Sequence, residues 1–168
     1  MRDANGRRDL NGSAGEPARI AGDGETEEFV SFWVAGQLLG IPVGMVQEVL
    51  TSQKIAPVPL APREVAGLLN LRGQIVTAVD LRARLGLDPL ADGEEPMNVV
   101  VLDQDELFSL LVDEVGDVIT VDRNLFEAPP STLEERWRRV CSGVYRLERR
   151  LLVVIDVGAL LARQATAP

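Results

Sequence analysis

The chain of 168 residues contains no histidine, one cysteine, one lysine and seven aromatic residues (two Trp, one Tyr, four Phe). Each scarcity excludes something. Without histidine there is no Ser-His-Asp or Cys-His nucleophile, no imidazole ligand for zinc and no phospho-accepting imidazole. The lone Cys141 can form neither an internal disulfide nor a CxxC site. Few aromatics mean a core built mostly of Val, Leu and Ile. No apolar run reaches the 18 or so residues of a membrane span, and Arg2, Arg7 and Arg8 are not followed by the apolar stretch of an export signal. The expectation is a cytoplasmic protein with no membrane insertion. Sixteen of the 17 basic residues are Arg, and 26 acids bring the net charge to −9, which repels nucleic acid. What remains points to a binding protein of one ordinary domain or two small ones.

Residues 1–27 read as a disordered tail, with five glycines, alternating charges and only Leu10 and Ile20 as large branched apolar residues. Residues 164–168 read as a second tail. Order is expected to begin at Glu28 or Phe29. From there, short β-like runs follow at 29–35, 38–43, 46–50, 66–71 and 74–79, and again at 98–102, 107–112, 115–121, 143–147 and 150–155.

The two sets superpose. Residues 29–51 match 98–120 without a gap at an offset of 69, pairing Val30 with Val99, Val43 with Val112, Val46 with Val115, Glu48 with Asp117 and Val49 with Val118. Residues 67–85 match 143–161 at an offset of 76, pairing Gly67 with Gly143, Leu71 with Leu147 and Asp80 with Asp156. One unit is used twice. Each copy holds five short strands, then a helix opened by Asp80 or Asp156 as N-cap. Five strands in so few residues predict a small barrel, the first over about 28–86 and the second over about 97–163, with chain crossover between them allowed and a third apolar core shared. In the longer connector, Ser131 with Glu134 predicts a capping box at the start of a helix.

Several clusters could carry chemistry. Asp103, Asp105, Glu106, Asp113, Glu114, Asp117 and Asp122 lie in a stretch without bases. They would serve a divalent metal in a metal-dependent enzyme, but they lack the glycine and span of an EF-hand loop and suit a solvated hairpin and acidic strand face better. Arg136, Arg138, Arg139, Arg146, Arg149 and Arg150 could bind an anion or neutralise nearby acids. Lys54 is the sole lysine base, and a Ser52–Lys54 dyad two residues apart is geometrically poor. Cys141 reads as a small core residue. Asn70-Leu71-Arg72-Gly73-Gln74 reads as a hairpin turn in which Asn70 and Gly73 serve the backbone. Arg72 is left over from the turn chemistry and suits a carboxylate on a partner, the alternative being an idle surface arginine.

The segments GLLNLRGQIVTAVDLRARLG (67–86) and FVSFWVAGQLLGIPVGMVQEVL (29–50) resemble the CheW family of bacterial chemotaxis coupling proteins, over about 29–163 of the chain. The resemblance implies a mainly β fold of two five-stranded SH3-like barrels with short helices, no catalysis and no cofactor. It implies an adaptor between the cytoplasmic tips of methyl-accepting chemotaxis receptors and the regulatory domain of the histidine kinase CheA, recruited to membrane-associated receptor arrays. Residue by residue, it places receptor contacts at Val46, Glu48, Val49 and Arg72. Val112 and Val115 would continue that groove, and Gly67 would be a packing glycine beside it. The kinase interface would lie at the barrel ends, with no motif to fix its residues. An adaptor of the same kind in a chemosensory system with a non-motility output remains an alternative.

Overall fold

The computed structural model describes residues 25–162; the expected tails lie almost wholly outside that range. Ten strands are present: β1 (Thr26–Val34), β2 (Gln37–Pro42), β3 (Val46–Leu50), β4 (Val65–Leu71), β5 (Gln74–Asp80), β6 (Met97–Asp103), β7 (Glu106–Val112), β8 (Glu114–Asp122), β9 (Cys141–Arg146) and β10 (Leu151–Ile155). Three short helices accompany them, α1 (Leu81–Arg84), α2 (Glu135–Arg138) and α3 (Val157–Leu161). Order begins earlier than Glu28, because Thr26 and Glu27 already pair with Asp122 and Val121 of β8. Three hairpins turn through two residues with positive φ, at Ala35-Gly36, Arg72-Gly73 and Gln104-Asp105. That is the backbone hand of a two-residue turn matched to strand twist.

The strands form two five-stranded sheets, in the orders β8-β1-β2-β10-β9 and β3-β6-β7-β5-β4. The sheets do not follow the halves of the chain, so the partition at about 28–86 and 97–163 is replaced by the crossover it allowed. Strands one and two of each repeat join strands three to five of the other. The exchange obeys the pseudo-repeat to the residue: β10 runs parallel to β2 with Val153 opposite Leu39, and β5 runs parallel to β7 with Thr77 opposite Phe108. No ladder joins the two outer strands of either sheet, so each is a curled sheet with a seam rather than a closed barrel.

Strand alternation now has two cores to serve. In β10, Leu152 and Val154 enter a small core with Phe29, Leu38 and Tyr145, while Val153 and Ile155 enter a large core with Phe32, Leu39, Val99, Val101 and Leu110. The second sheet has its own small core of Leu69, Val76, Ala78 and Leu111. The large core draws on both sheets and on Trp137 of α2, which welds the units into one body. Strands buried on both faces read as continuous apolar runs, which is why the repeat stands out in the sequence.

Local chemistry sets the ends. The Asp80 carboxylate accepts from the amides of Arg82 (3.0 Å) and Ala83 (3.3 Å), and that of Asp156 from Ala159 (3.1 Å). The expected capping box does not form: α2 starts at Glu135 with Glu134 as an uncapped N-cap. The Leu133 amide instead donates to the Pro130 carbonyl, a turn that buries the Leu133 side chain in the large core. Gly67 and Gly143, repeat mates, each lie beneath the connector that crosses the outer strand. A Cβ on Gly67 would stand 2.2 Å from the Ala56 carbonyl oxygen, and one on Gly143 would stand 2.2 Å from the Phe126 ring. Those connectors bridge to the strands at Ala56–Leu68 and Glu127–Val144.

Candidate functional site

Strand β3 forms one margin of its sheet and β4 the other. On β3 the register against β6 steps from Val46–Val101 to Glu48–Val100, so Gln47 is the extra residue of a bulge. A bulge at a sheet edge re-aims the side chains beside it. Across the seam, the β4–β5 turn is held by Asn70, whose Oδ1 accepts from the Gly73 amide at 2.9 Å. From that turn Arg72 Nη2 donates to Glu48 Oε1 at 2.8 Å. The bond therefore joins the two margins of the open sheet. The Glu48 carboxylate, and then its charge, hold the Arg72 guanidinium above its ordinary pKa. Arg72 itself is 73% exposed, whereas Glu48 is 21% exposed with its second oxygen, Oε2, buried and without a hydrogen-bond partner among the described residues.

Around this pair the edge is apolar. Val43 and Val49 are exposed, and Val46 is half-buried against the large core. Val115 occupies the corresponding half-buried position on β8, in the other sheet. Val112 is different: at 1% exposure it belongs to the large core and presents nothing to a partner. Its repeat mate Val43 sits in a 3-10 turn (Val43–Met45) just past β2, while Val112 is still within β7, opposite Met97. That one-element difference reverses their exposure. Gly67 is a packing glycine under the 52–64 connector, on the same strand as Asn70. Ile75, exposed on the hairpin that carries Arg72, was not singled out from the sequence. Its signal was available, since Val76 and Ala78 point inward and strand alternation then turns Ile75 outward.

The acidic stretch does not converge. Asp103 and Glu106 face each other across the β6–β7 hairpin, with Asp105 in its turn. Asp122 accepts from the Asn124 amide, and Asp117 and Glu114 are exposed on β8. Asp113 is held by Arg82 through two bonds, Nε to Oδ1 at 2.8 Å and Nη2 to Oδ2 at 2.7 Å, and accepts from the Ala35 amide. Burial alone would raise the Asp113 carboxyl; the guanidinium and the amide outweigh it and hold the group below the usual carboxylate range. Among the described residues no three His, Cys, Asp or Glu side chains are placed to hold a metal ion.

The arginines are largely engaged within the fold. Arg136 donates to the Leu85 and Gly86 carbonyls at the end of α1, Arg138 and Arg139 pair with Glu135, and Arg146 pairs with Glu127. Arg150 lies over the Trp33 ring at 5.2 Å. Burial pushes the half-buried Cys141 thiol up, away from the reactive thiolate. Among the described residues no helix is long and apolar enough to cross a membrane. Among the described residues the arrangement offers no poised acid, base or nucleophile.

Comparison with known proteins agrees. A CheW-like domain family model matches residues 28–165. The chain is 30% identical over 140 residues to the chemotaxis protein CheW of Bacillus subtilis, covering 83% of this chain and 90% of that one. It is 30% identical over 127 residues to protein PilI of Pseudomonas aeruginosa, covering 74% and 70%. Among solved structures, the scaffolding protein TtCheW of Thermoanaerobacter tengcongensis superposes with a TM-score of 0.74 at 26% identity, covering 83% of this chain and 95% of that one.

Proposed function

The chain belongs to the CheW-like family, and from that premise we propose how its own residues carry out the family's task. The protein is a non-catalytic coupling and scaffold protein of chemosensory signal transduction, linking receptors to the histidine kinase CheA. The receptor's cytoplasmic tip docks on the margin formed by β3 and the β4–β5 turn. The observation that carries this is the Glu48–Arg72 bond across the seam, set beside exposed Val43 and Val49. Covering those valines supplies affinity, about 1 kcal/mol for each if its exposed part is fully buried. The paired charges on rigid elements select register and partner rather than adding much affinity. Val46 and Val115 contribute shape from half-buried positions. The regulatory domain of CheA takes the barrel ends, and holding both partners recruits the protein from the cytoplasm to receptor arrays at the membrane.

Arg72→Asp replaces the donor by a second acid beside Glu48. The expected result is about tenfold weaker receptor capture in a pulldown, with an unchanged circular dichroism spectrum. Receptor capture equal to that of the parent protein would overturn the placement. A second reading, the same coupling role in a system with a non-motility output, draws support from the match to PilI, a relative without the chemotaxis name. Co-purification from the native cell separates the two: that reading requires a CheA-type kinase to be recovered without a chemoreceptor.

A further inference from the structure

The pseudo-repeat breaks at one pair of positions with a physical consequence. In the second sheet the end near α1 is closed by the Arg82–Asp113 ion pair, through its two hydrogen bonds. The repeat mates of Arg82 and Asp113 are Gly158 and Gly44. Among the described residues no ion pair replaces it there. The corresponding end of the first sheet is open, a cleft of about 420 Å³ whose walls include Phe29, Pro42, Met45, Phe126, Tyr145 and Val157. Phe29 and Phe126 both stack obliquely on Tyr145, at 5.7 and 5.3 Å between ring centres, so the apolar wall is fixed. Phe126 is nonetheless 44% exposed. A cleft of this size suits a few apolar side chains.

The chain enters the described structure at the rim of this cleft. The Arg123 amide donates to the Glu25 carbonyl at 3.0 Å, and Arg123 pairs with Glu25 and Glu27. Arg123 and Glu27 both line the cleft. Between Asn11 and Gly24 the one large apolar residue is Ile20, flanked by Arg19 and preceded by Pro17. Glu25 is five positions beyond Ile20, a reach of at most about 17 Å. The rim carries the carboxylates of Glu27 and Asp156, opposite in charge to Arg19.

We propose that the segment Pro17-Ala18-Arg19-Ile20 docks on this cleft, with Ile20 against its apolar wall beside Gly158 and Arg19 meeting the Asp156 and Glu27 carboxylates. The segment is then a built-in competitor for whatever partner uses this end of the sheet. The proposal stands on the cleft and the point of chain entry, independently of where the receptor binds.

Methyl NMR of the full chain tests it through the Met45 and Val157 methyl groups, which line the cleft and lie far in sequence from the substitution. Ile20→Asp should shift both sets of resonances at low protein concentration. The same substitution should shift neither when Gly44→Asp and Gly158→Arg have closed the cleft; a Cβ at Gly44 meets nothing within 4 Å, and one at Gly158 only Asp156 at 3.5 Å. Unmoved Met45 and Val157 methyls in Ile20→Asp alone would overturn the proposal, a result that does not depend on the closing variant folding. Methyl shifts that track protein concentration instead of the Ile20 substitution would assign the cleft to a second copy and overturn it equally.

Discussion

Helices α1 and α3 open alike, Asp80-Leu81 in one unit and Asp156-Val157 in the other, and diverge at the next residue, Arg82 against Gly158. The same divergence recurs at the seam. Glu48 and Arg72 join the margins of the second sheet, whereas their repeat mates Asp117 and Glu148 are both acids and cannot pair. The small cores differ in the reverse sense. The first sheet has Phe29 and Gly40 where the second has Asn98 and Ser109, the latter two buried and hydrogen bonded at 2.8 Å. One unit is thus closed by charge and polar inside; the other is aromatic inside and open at its end. Backbone registers persisted through the duplication, while a few side-chain pairs gave the two copies different surfaces. A coupling protein with two kinds of partner needs that difference.

The largest test of this comparison concerns what the copies share. Gly67→Ala and Gly143→Ala should both destabilise, but unequally. At Gly67 the clash is with backbone and the φ is +147°, so about 3 kcal/mol is expected in urea unfolding. At Gly143 a Cβ meets the Phe126 ring and the Glu127 carbonyl oxygen, but the backbone there has no left-handed φ, so the loss should be smaller by about 1 kcal/mol. Equal losses would mean that the left-handed φ at Gly67 adds nothing to the cost.

Next comes the closure found in one copy only. Asp113→Ala should cost about 1 kcal/mol at pH 7, since both partners retain some solvent contact. The folded-state carboxyl is depressed, so this contribution is complete above the ordinary carboxylate range and is lost as pH falls through the lower folded value. The gap between parent and variant should therefore narrow in unfolding curves taken below about pH 4. A gap that stays constant down to pH 2 would show that the pair does not stabilise the fold.

The smallest effect concerns the polar core. Asn98 Oδ1 is buried and finds no partner among the described residues, so Asn98→Val together with Ser109→Ala removes a pair that is only half satisfied. The double variant should change stability by less than about 1 kcal/mol, of either sign, while Asn98→Val alone, which leaves Ser109 unpaired, should be the less stable of the two.

Ten strands, the repeat and the turn at Asn70–Gly73 were legible because periodicity and glycine chemistry act locally. The exchange of strands was not. Leu39 would satisfy its burial against β5 as well as against β10, and only the three-dimensional closure of two units decides between those partners. Val112 misled for a related reason: it is Val43's mate in sequence, but one stands inside a strand and the other in the turn after one. Arg72 and Glu48 were each named as receptor contacts by the family resemblance, but their bond to one another was not foreseen, because its 24-residue separation and the bulge at Gln47 are invisible to spacing. The Arg82–Asp113 pair and the cleft opposite it escaped notice because they appear only when the repeat is read for what its mates lack.

The crossover also has a consequence for synthesis on the ribosome. β1 and β2 leave the tunnel first, yet their sheet neighbours β8 and β10 lie beyond residue 113. The second sheet, by contrast, is contained between Val46 and Val112 and can assemble while the remainder is still being translated. The nascent hairpin of β1 and β2 must therefore wait, with Phe29, Phe32 and Ile41 uncovered, until nearly the whole chain has emerged. The same topology makes the 87–96 connector the natural place to divide the molecule. Two fragments cut there would each be unable to complete a sheet and would depend on finding one another, as the two halves of the chain already do.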